Sequence, residues 1–498
     1  MTAQADAAVV VDRDWRMIIG GRRVSASDGA VLDVVSPATG KVITTIPAGN
    51  STDVDRAVDA ARGAFPGWQK TSAADRGRLL HQVADAIGEH AEELARIDAI
   101  DNGSPISMLR NDVRLAVDQV RYFAGLALEL RGQSIPVPHQ GELNYTVHEP
   151  FGVVGRVVPF NHPLMFAAAK IAAPLIAGNT VVLKPSEHTS LSALYIGELC
   201  ARVLPPGVVN VVTGLGATVG TRLTTHPDVP RVAFTGSVET GLLIQRQAAS
   251  GSVKVVTLEL GGKNPLLVFP DADLDAAVAG AVRGMNFTWQ GQSCGSTSRV
   301  YVHRSLWTEF LARLAVDVDK LQVGDPLSED SDVGAVVTRA QFDRVARYVD
   351  IGLADPRARL VAGGPPADPA HGFFARPTVF AFEDGACDSP LLLDEIFGPV
   401  LSVLPFDDYR DVISQANRLP LGLTASIWTS SLQTALQAVQ DLEAGYVWVN
   451  DSSRHIPGAP FGGVKNSGLG REEGVEELYS YAQQKNVFIR FDRGAHSA

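Results

Sequence analysis

The sequence predicts an α/β fold, with two domains built on largely parallel β-sheets and a small β arm beside them. Three observations carry this. Short β-branched runs at 153–158, 180–183, 208–212, 232–234 and 253–256 are separated by helix-length segments, an alternation that implies parallel strands with helices on both sheet faces. A second alternating region follows Glu259 and continues to about residue 445, with helices predicted over 306–321 and 431–442. At 498 residues the chain is too long for one compact core and calls for two or three domains.

In chain order, the first dozen residues read as a loose tail, followed by a small strand region over 15–24 with turn chemistry at Gly20-Gly21. From Thr52, with Asp55 as the second half of a capping box, apolar residues fall at Val54, Ala57, Val58, Ala61 and Phe65, which is helical spacing. Further packing helices are predicted around Leu79, Leu80, Val83, Ala84 and Ile87, and over 107–130. Residues 132–147 turn extended, interrupted by Pro136, Pro138 and Gly141, and read as a two-stranded flap or assembly arm whose edge needs a partner. Ligands of parallel sheets lie beyond the strand C-termini, where LKPSE (183–187), GLGATVG (214–220) and FTGS (234–237) fall. GLGATVG alone is equally a simple helix entry. The glycine-rich run 458–470 reads as a loop folding back over the site.

Composition excludes several classes. Hydrophobic content of 45% and charged content of 20% are ordinary for a globular protein, and a formal charge of -12 argues against nucleic acid. The N-terminus carries Asp6, Asp12 and Asp14 and does not resemble a secretory signal. The longest apolar region, 166–183, is broken by Lys170, Pro174 and Asn179, so no membrane span is expected. Cys200, Cys294 and Cys387 are odd in number and far apart, which fits a reducing compartment; the cytoplasm is the expected location.

The chemistry centres on Trp289-Gln290-Gly291-Gln292-Ser293-Cys294-Gly295. A cysteine among small residues leaves its sulfur approachable by an electrophile, but a free thiol titrates near roughly 8.5, so the site must lower that value or supply a base. Glu259 is the candidate base. Read singly, Cys294 is equally a small buried thiol, Glu259 a strand-end carboxylate, Asn161 a turn residue before Pro163, and Glu395 an ordinary loop carboxylate.

Read together, LELGGKNP (258–265), QSCGSTSR (292–299), PFNHP (159–163), LKPSE, FTGS, EIFGPV (395–400) and PFGGVKNSGLGRE (460–472) resemble the successive signatures of the NAD(P)-dependent aldehyde dehydrogenase superfamily, in its order and at its spacing, from roughly Trp15 to Val487. The resemblance implies a Rossmann-like NAD-binding domain over 1–129 and 151–257, a catalytic domain over 258–461, and an oligomerisation segment over 130–150 and 479–495. In it, residues 485–491 would pair with the arm of a neighbouring subunit in a homodimer or homotetramer. It further implies Cys294 as nucleophile, Asn161 and the Cys294 N–H as oxyanion donors, and Glu259 as the general base for water. Glu472 matches a second carboxylate given a proton-relay role. Lys184 and Glu187 would meet the adenosine ribose, Gly236 and Ser237 the pyrophosphate, and Glu395 and Phe397 the nicotinamide ribose and ring. Glu187 favours NAD, with NADP possible; no metal is expected.

Departures from the family pattern bear on substrate. Phe160 stands where many members have tryptophan, and His162 follows Asn161; Ala169 is small where bulkier side chains often line the tunnel. With Thr288, Trp289, Ser293 and Gly295 around the nucleophile, these predict a roomy tunnel. Arg454 and His455 at its mouth would favour an aldehyde with a distal carboxylate, against an aromatic or terpenoid aldehyde. Two further readings stand beside hydrolytic aldehyde oxidation: a CoA-acylating semialdehyde dehydrogenase and a non-catalytic binding protein on the same scaffold.

Overall fold

The computed structural model describes residue 10 and residues 13–491, apart from residues 139, 367, 386 and 387. Cys387, most of the expected N-terminal tail and residues 492–495 of the expected oligomerisation segment lie outside the described residues.

Eight strands form the first sheet in the order Arg22–Val24, Met17–Ile19, Val209–Val211, Thr180–Lys184, Val153–Val157, Arg231–Thr235, Val255–Glu259 and Gly468–Leu469. The five strands from Val209–Val211 to Val255–Glu259 are parallel. The chain fills one side of Val153–Val157 with the next two strands, then returns to its other side with Arg231–Thr235. The strand order therefore reverses between these two neighbours, and a crevice opens beyond their C-terminal ends, where ligands of such sheets bind. Pleating sends successive side chains to opposite faces. Val181 and Leu183 join a core with helices Pro163–Ile176 and Leu191–Val203, while Val182 joins a core with Val54, Ala57 and Val58 on the other side.

The N-terminal hairpin turns at Gly20 and Gly21, both at positive φ, and adds Met17–Ile19 antiparallel to the sheet edge at Val211. The cap of helix Ser51–Lys70 lies two residues before the predicted one: Asn50 accepts from the Thr52 and Asp53 N–H groups, and the Asp53 carboxylate accepts from the Asn50 N–H. The Thr52–Asp55 box is thus corrected; the first side chain able to accept from the helix start lies upstream, and Asp55 instead meets Arg222 at 2.6 Å. The helical region that follows is three helices, Ala73–Glu89, Ala91–Asn102 and Ile106–Gly125.

The second sheet orders Ala358–Ala362, Thr378–Phe382, Val400–Phe406, Arg299–His303, Pro265–Val268, Thr424–Trp428 and Tyr446–Val449, all parallel except the first pair. Its two faces carry separate cores, with Leu267 and Tyr301 on one and Leu266, Val268, Val300 and Val302 on the other. No described helix is long and apolar enough to cross a membrane.

The arm corrects an expectation. It has three strands, and Ala482–Arg490 pairs antiparallel with Glu142–Pro150 of the same chain along its whole length, while Ser134–Ile135 covers the far edge. Arg490 bonds Glu142 at 2.9 Å, Lys485 meets Glu149, and the Phe491 N–H donates to Gly141 at 2.8 Å. Residues 485–491 thus find their partner within the subunit, because the chain returns to the arm with complementary charges in register.

Candidate active site

LELGGKNP joins the two sheets. Glu259 ends a strand of the first, Pro265 starts a strand of the second, and two glycines between them make room. A side chain at Gly261 would overlap the Glu395 carboxylate, and one at Gly262 would overlap the Asn264 side chain. Both approaches are used: Glu395 accepts from the Gly262 N–H at 3.0 Å, and Asn264 Nδ2 donates to the carbonyls of Cys294 at 2.8 Å and Ser296 at 3.0 Å. The cysteine loop turns through Gln290 and Gly291 at φ 53° and 65°. Gly291 is packed against the Gly398 carbonyl, where a side chain has no room. The Gln292 side chain accepts from Val337 N–H at 3.1 Å and ties the loop to the second sheet's side.

The folded-back segment predicted over 458–470 closes the site. Gly468–Leu469 pairs antiparallel with Leu258 and Glu259, the Leu260 N–H donates to Ser467 at 2.9 Å, and Gly462 faces the Glu259 carboxylate.

Two cavities meet at the cysteine. The first, of about 340 Å³, lies at the crevice of the first sheet and is lined by Phe160, Asn161, Gly236, Ser237, Glu395 and Phe397 among others. The second, of about 240 Å³, runs between Phe166, Trp289, Phe461 and their neighbours. Thr235, Glu259 and Cys294 border both. Seven of the nine predicted site residues therefore share the first cavity. Lys184 and Glu187 form their own cluster on the same C-terminal sheet edge: Lys184 Nζ donates to Glu187 at 3.0 Å and to the Pro185 carbonyl at 2.9 Å, and Gly216 N–H meets Glu187 at 3.4 Å. GLGATVG thus touches the Glu187 cluster through Gly216, its residues 216–220 forming a short π-helical turn.

These groups fit an extended dinucleotide. Ser237 caps helix Val238–Ala248, whose first N–H groups open on the crevice wall, and carboxylates at Glu187 and Glu395 stand ready for ribose hydroxyls. The Thr235 hydroxyl is buried without a hydrogen bond among the described residues. Phe397 adopts φ 58° and packs edge-on against Phe160 at 5.6 Å. No group of three or more metal-ligating side chains occurs among the described residues.

Electrostatically the site favours neutral groups. Burial, aided by Glu395, Glu259 and Glu473, pushes the Cys294 thiol up to about 12, so the surroundings favour the thiol and a nearby base assists its ionisation. Glu259 is 5% exposed, and neither carboxylate oxygen has a hydrogen bond among the described residues. Burial and the neighbouring Glu472 raise its carboxyl well above the ordinary range. Burial also pushes Glu395 up to about 7. Asn161 is likewise buried with Oδ1 unpartnered among the described residues, and the Cys294 N–H donates to no backbone carbonyl there.

The aldehyde dehydrogenase family profile matches residues 24–487. The chain belongs to the aldehyde dehydrogenase family. An aldehyde dehydrogenase of Talaromyces stipitatus is 44% identical over 473 residues, covering 93% of this chain and 91% of that one. The phenylacetaldehyde dehydrogenase of Pseudomonas fluorescens is 41% identical over 96% of both chains. The NAD⁺ complex of an aldehyde dehydrogenase from Bacillus cereus superposes with a TM-score of 0.94 at 40% identity, over 99% of each chain. Aldehyde oxidation with NAD as hydride acceptor is the activity this membership carries; the CoA-acylating and non-catalytic readings are not favoured.

Around the dehydrogenase site stand residues that sequence reasoning passed over. Lys170, the one charge in helix Pro163–Ile176, lies 2.8 Å from Glu472, which also bonds Arg156. Burial opposes the charge on Glu472, but Arg156 and Lys170 overrule it and hold the carboxyl down at about 2. The Glu472 charge in turn helps to raise the Glu259 carboxyl. The signal for Lys170 was visible as a lysine in an apolar run, where it served only to argue against a membrane span. Asp112, Gln341 and Arg344 had no sequence signal.

Two tunnel expectations are corrected. Ala169 is 1% exposed and turned away from the second cavity, because its helix presents Met165, Phe166 and Lys170 there. Arg454 has a 70% exposed side chain 4.0 Å from Asp451 and does not line the cavity, whereas His455 does.

Proposed function

We propose that this chain oxidises an aldehyde to its carboxylic acid by covalent catalysis at Cys294, with Glu259 as base and NAD as hydride acceptor. The observation that supports this best is the shared border: the thiol and the carboxylate both face the crevice and the second cavity. Glu259 takes the thiol proton as sulfur bonds to the aldehyde carbon, giving a thiohemiacetal. Asn161 Nδ2 and the Cys294 N–H donate to its negative oxygen, each such donor being worth about 10² to 10³ in rate. A dinucleotide held in the crevice would supply the hydride acceptor this oxidation needs, and Cys294 is left carrying the acyl group as a thioester. Glu259, its first proton released, then deprotonates the water that hydrolyses this thioester, and the acid departs. Its raised affinity for a proton suits it to both transfers.

Lys184 and Glu187 would hold the adenosine ribose, Gly236 and Ser237 the pyrophosphate, and Glu395 and Phe397 the nicotinamide ribose and ring. The Glu187 carboxylate accepts from ribose hydroxyls and repels a 2′-phosphate, so NAD is preferred to NADP. In this reading 1–129 with 151–257 is the NAD-binding domain, 258–461 the catalytic domain, and 130–150 with 479–495 the oligomerisation segment of a homodimer or homotetramer working in the cytoplasm. The substrate is a small aldehyde. With Arg454 in solvent and Arg283 held by Asp451 at 2.9 Å, the distal-carboxylate class lacks an anchor, and the aromatic walls favour an aromatic aldehyde.

An NADH absorbance assay over an aldehyde panel tests the reaction. Cys294→Ala is expected to abolish turnover while still binding NAD in a titration, and acid release is expected without CoA. Dehydrogenase activity surviving in that variant contradicts the assignment.

A further inference from the structure

We infer that the second cavity selects an aromatic aldehyde bearing a ring hydroxyl, bound between two histidine–carboxylate pairs, Asp112–His162 and Glu473–His455. This rests on the aldehyde-oxidising reading above and names its substrate class.

His162 Nδ1 lies 2.8 Å from Asp112 Oδ2, and His455 Nδ1 lies 3.1 Å from Glu473 Oε2. Both acids are buried, at 1% and 5% exposure, and all four residues line the cavity into which Cys294 opens. Each carboxylate engages Nδ1 and thereby orients the ring. Nε2 of neither histidine makes a hydrogen bond among the described residues.

A wall meant only to be apolar would be cheaper without a buried carboxylate behind each ring, because removing that charge from water costs several kcal/mol (roughly) unless the pair is well used. The chemistry of Nε2 names the guest. A neutral ring held through Nδ1–H offers a lone pair there, and a protonated ring offers an N–H. A hydroxyl serves both states, donating to the first and accepting from the second. A substrate carboxylate suits only the charged ring and meets Asp112 and Glu473 as like charges. The ring neighbours are aromatic: Trp289 packs tilted against His162 at 4.3 Å, and Phe461 packs tilted against His455 at 4.7 Å. A hydroxylated ring fills such a slot and reaches a histidine with its oxygen.

The test uses the full-length enzyme with NAD and a size-matched pair, 3-hydroxybenzaldehyde and 3-methylbenzaldehyde. Wild-type kcat/KM is expected to favour the hydroxylated aldehyde by about tenfold or more, as one added hydrogen bond to a charge-assisted partner allows. His162→Phe or His455→Phe is expected to drive that ratio toward one. Competitive inhibition of the wild-type enzyme by 3-hydroxybenzamide against 3-methylbenzamide reads the same contact without a variant, the hydroxylated compound acting at the lower concentration. Equal kcat/KM for the two aldehydes, equal inhibition by the two amides, or a ratio untouched in both folded variants overturns the inference. If the methylated aldehyde is oxidised without any hydroxyl advantage, this inference alone falls; if no aldehyde is oxidised, the underlying reading falls with it.

Discussion

The side-chain amide of Asn264 holds the Cys294 carbonyl at 2.8 Å, while its Oδ1 accepts from the Thr424 N–H at 3.0 Å. One asparagine thus clamps the nucleophile loop to the second sheet. Asn264→Ala takes these partners from the Cys294 carbonyl and the Thr424 N–H, at about 1–3 kcal/mol each, while the Ser296 carbonyl keeps the Ser298 N–H at 3.0 Å. A lower Tm and a fall in kcat/KM of about tenfold or more are expected; thermal melts and steady-state kinetics check both. Unchanged kinetics would mean the loop holds its shape unaided.

Glu259→Gln keeps the shape of the side chain and removes the proposed base. Both transfers assigned to it, from the thiol and from water, are expected to slow, and turnover to fall by about 10² to 10⁴. An acyl adduct is expected to form slowly after mixing with aldehyde and NAD and then to persist; intact-protein mass spectrometry over time reads this, and turnover at the wild-type rate would argue against the role.

Alkaline activation follows from the two raised groups. Cys294 is pushed up to about 12 and Glu259 lies well above the ordinary range, so both lose protons only as pH rises. Turnover is expected to climb from neutral pH into the alkaline range; a rate flat from pH 6 to 9, as pH values chosen for the assay, is the contrary result.

Lys170→Met removes a cation that lowers both Glu472 and Glu259. The Glu259 carboxyl then rises further, and the alkaline limb of the kcat profile moves to higher pH. Breaking the buried pair costs about 3–5 kcal/mol of stability. The sign at acid pH follows: Glu472 is depressed from 4.5 to about 2, so its contribution is present above 4.5 and is lost as pH falls toward 2. Wild-type acid melts should show that loss, and Lys170→Met less of it.

Gly261→Ala would drive its methyl group into the Glu395 carboxylate. KM for NAD is expected to rise by about tenfold or more, as misplacing a ribose-binding group costs, while aldehyde adduct formation at Cys294 is less affected. Cofactor titration separates the two.

The strand alternation from 153 to 256 was readable because four of the five parallel strands are buried throughout and demand β-branched runs, and the crevice at Asn161 and Gly236 follows from where those runs end. The helix start at Asn50 was misread by two residues because several polar side chains there offer the same cap. His162 and His455 were noticed as departures, yet Asp112 and Glu473 behind them were not, since nothing local marks an acid that will be buried.

The parallel sheets, the small residues flanking Cys294 and the family were legible in the sequence, because these depend on local pattern and on residues close along the chain. Only the tertiary structure decided that Lys170 and Arg156 pin Glu472, that each cavity histidine has a carboxylate behind it, and that 485–491 pairs within its own subunit. Those partners lie far apart in the chain, 316 residues for Arg156 and Glu472. A strand edge or a buried charge carries the same donors whichever partner it meets, so geometry alone makes the choice.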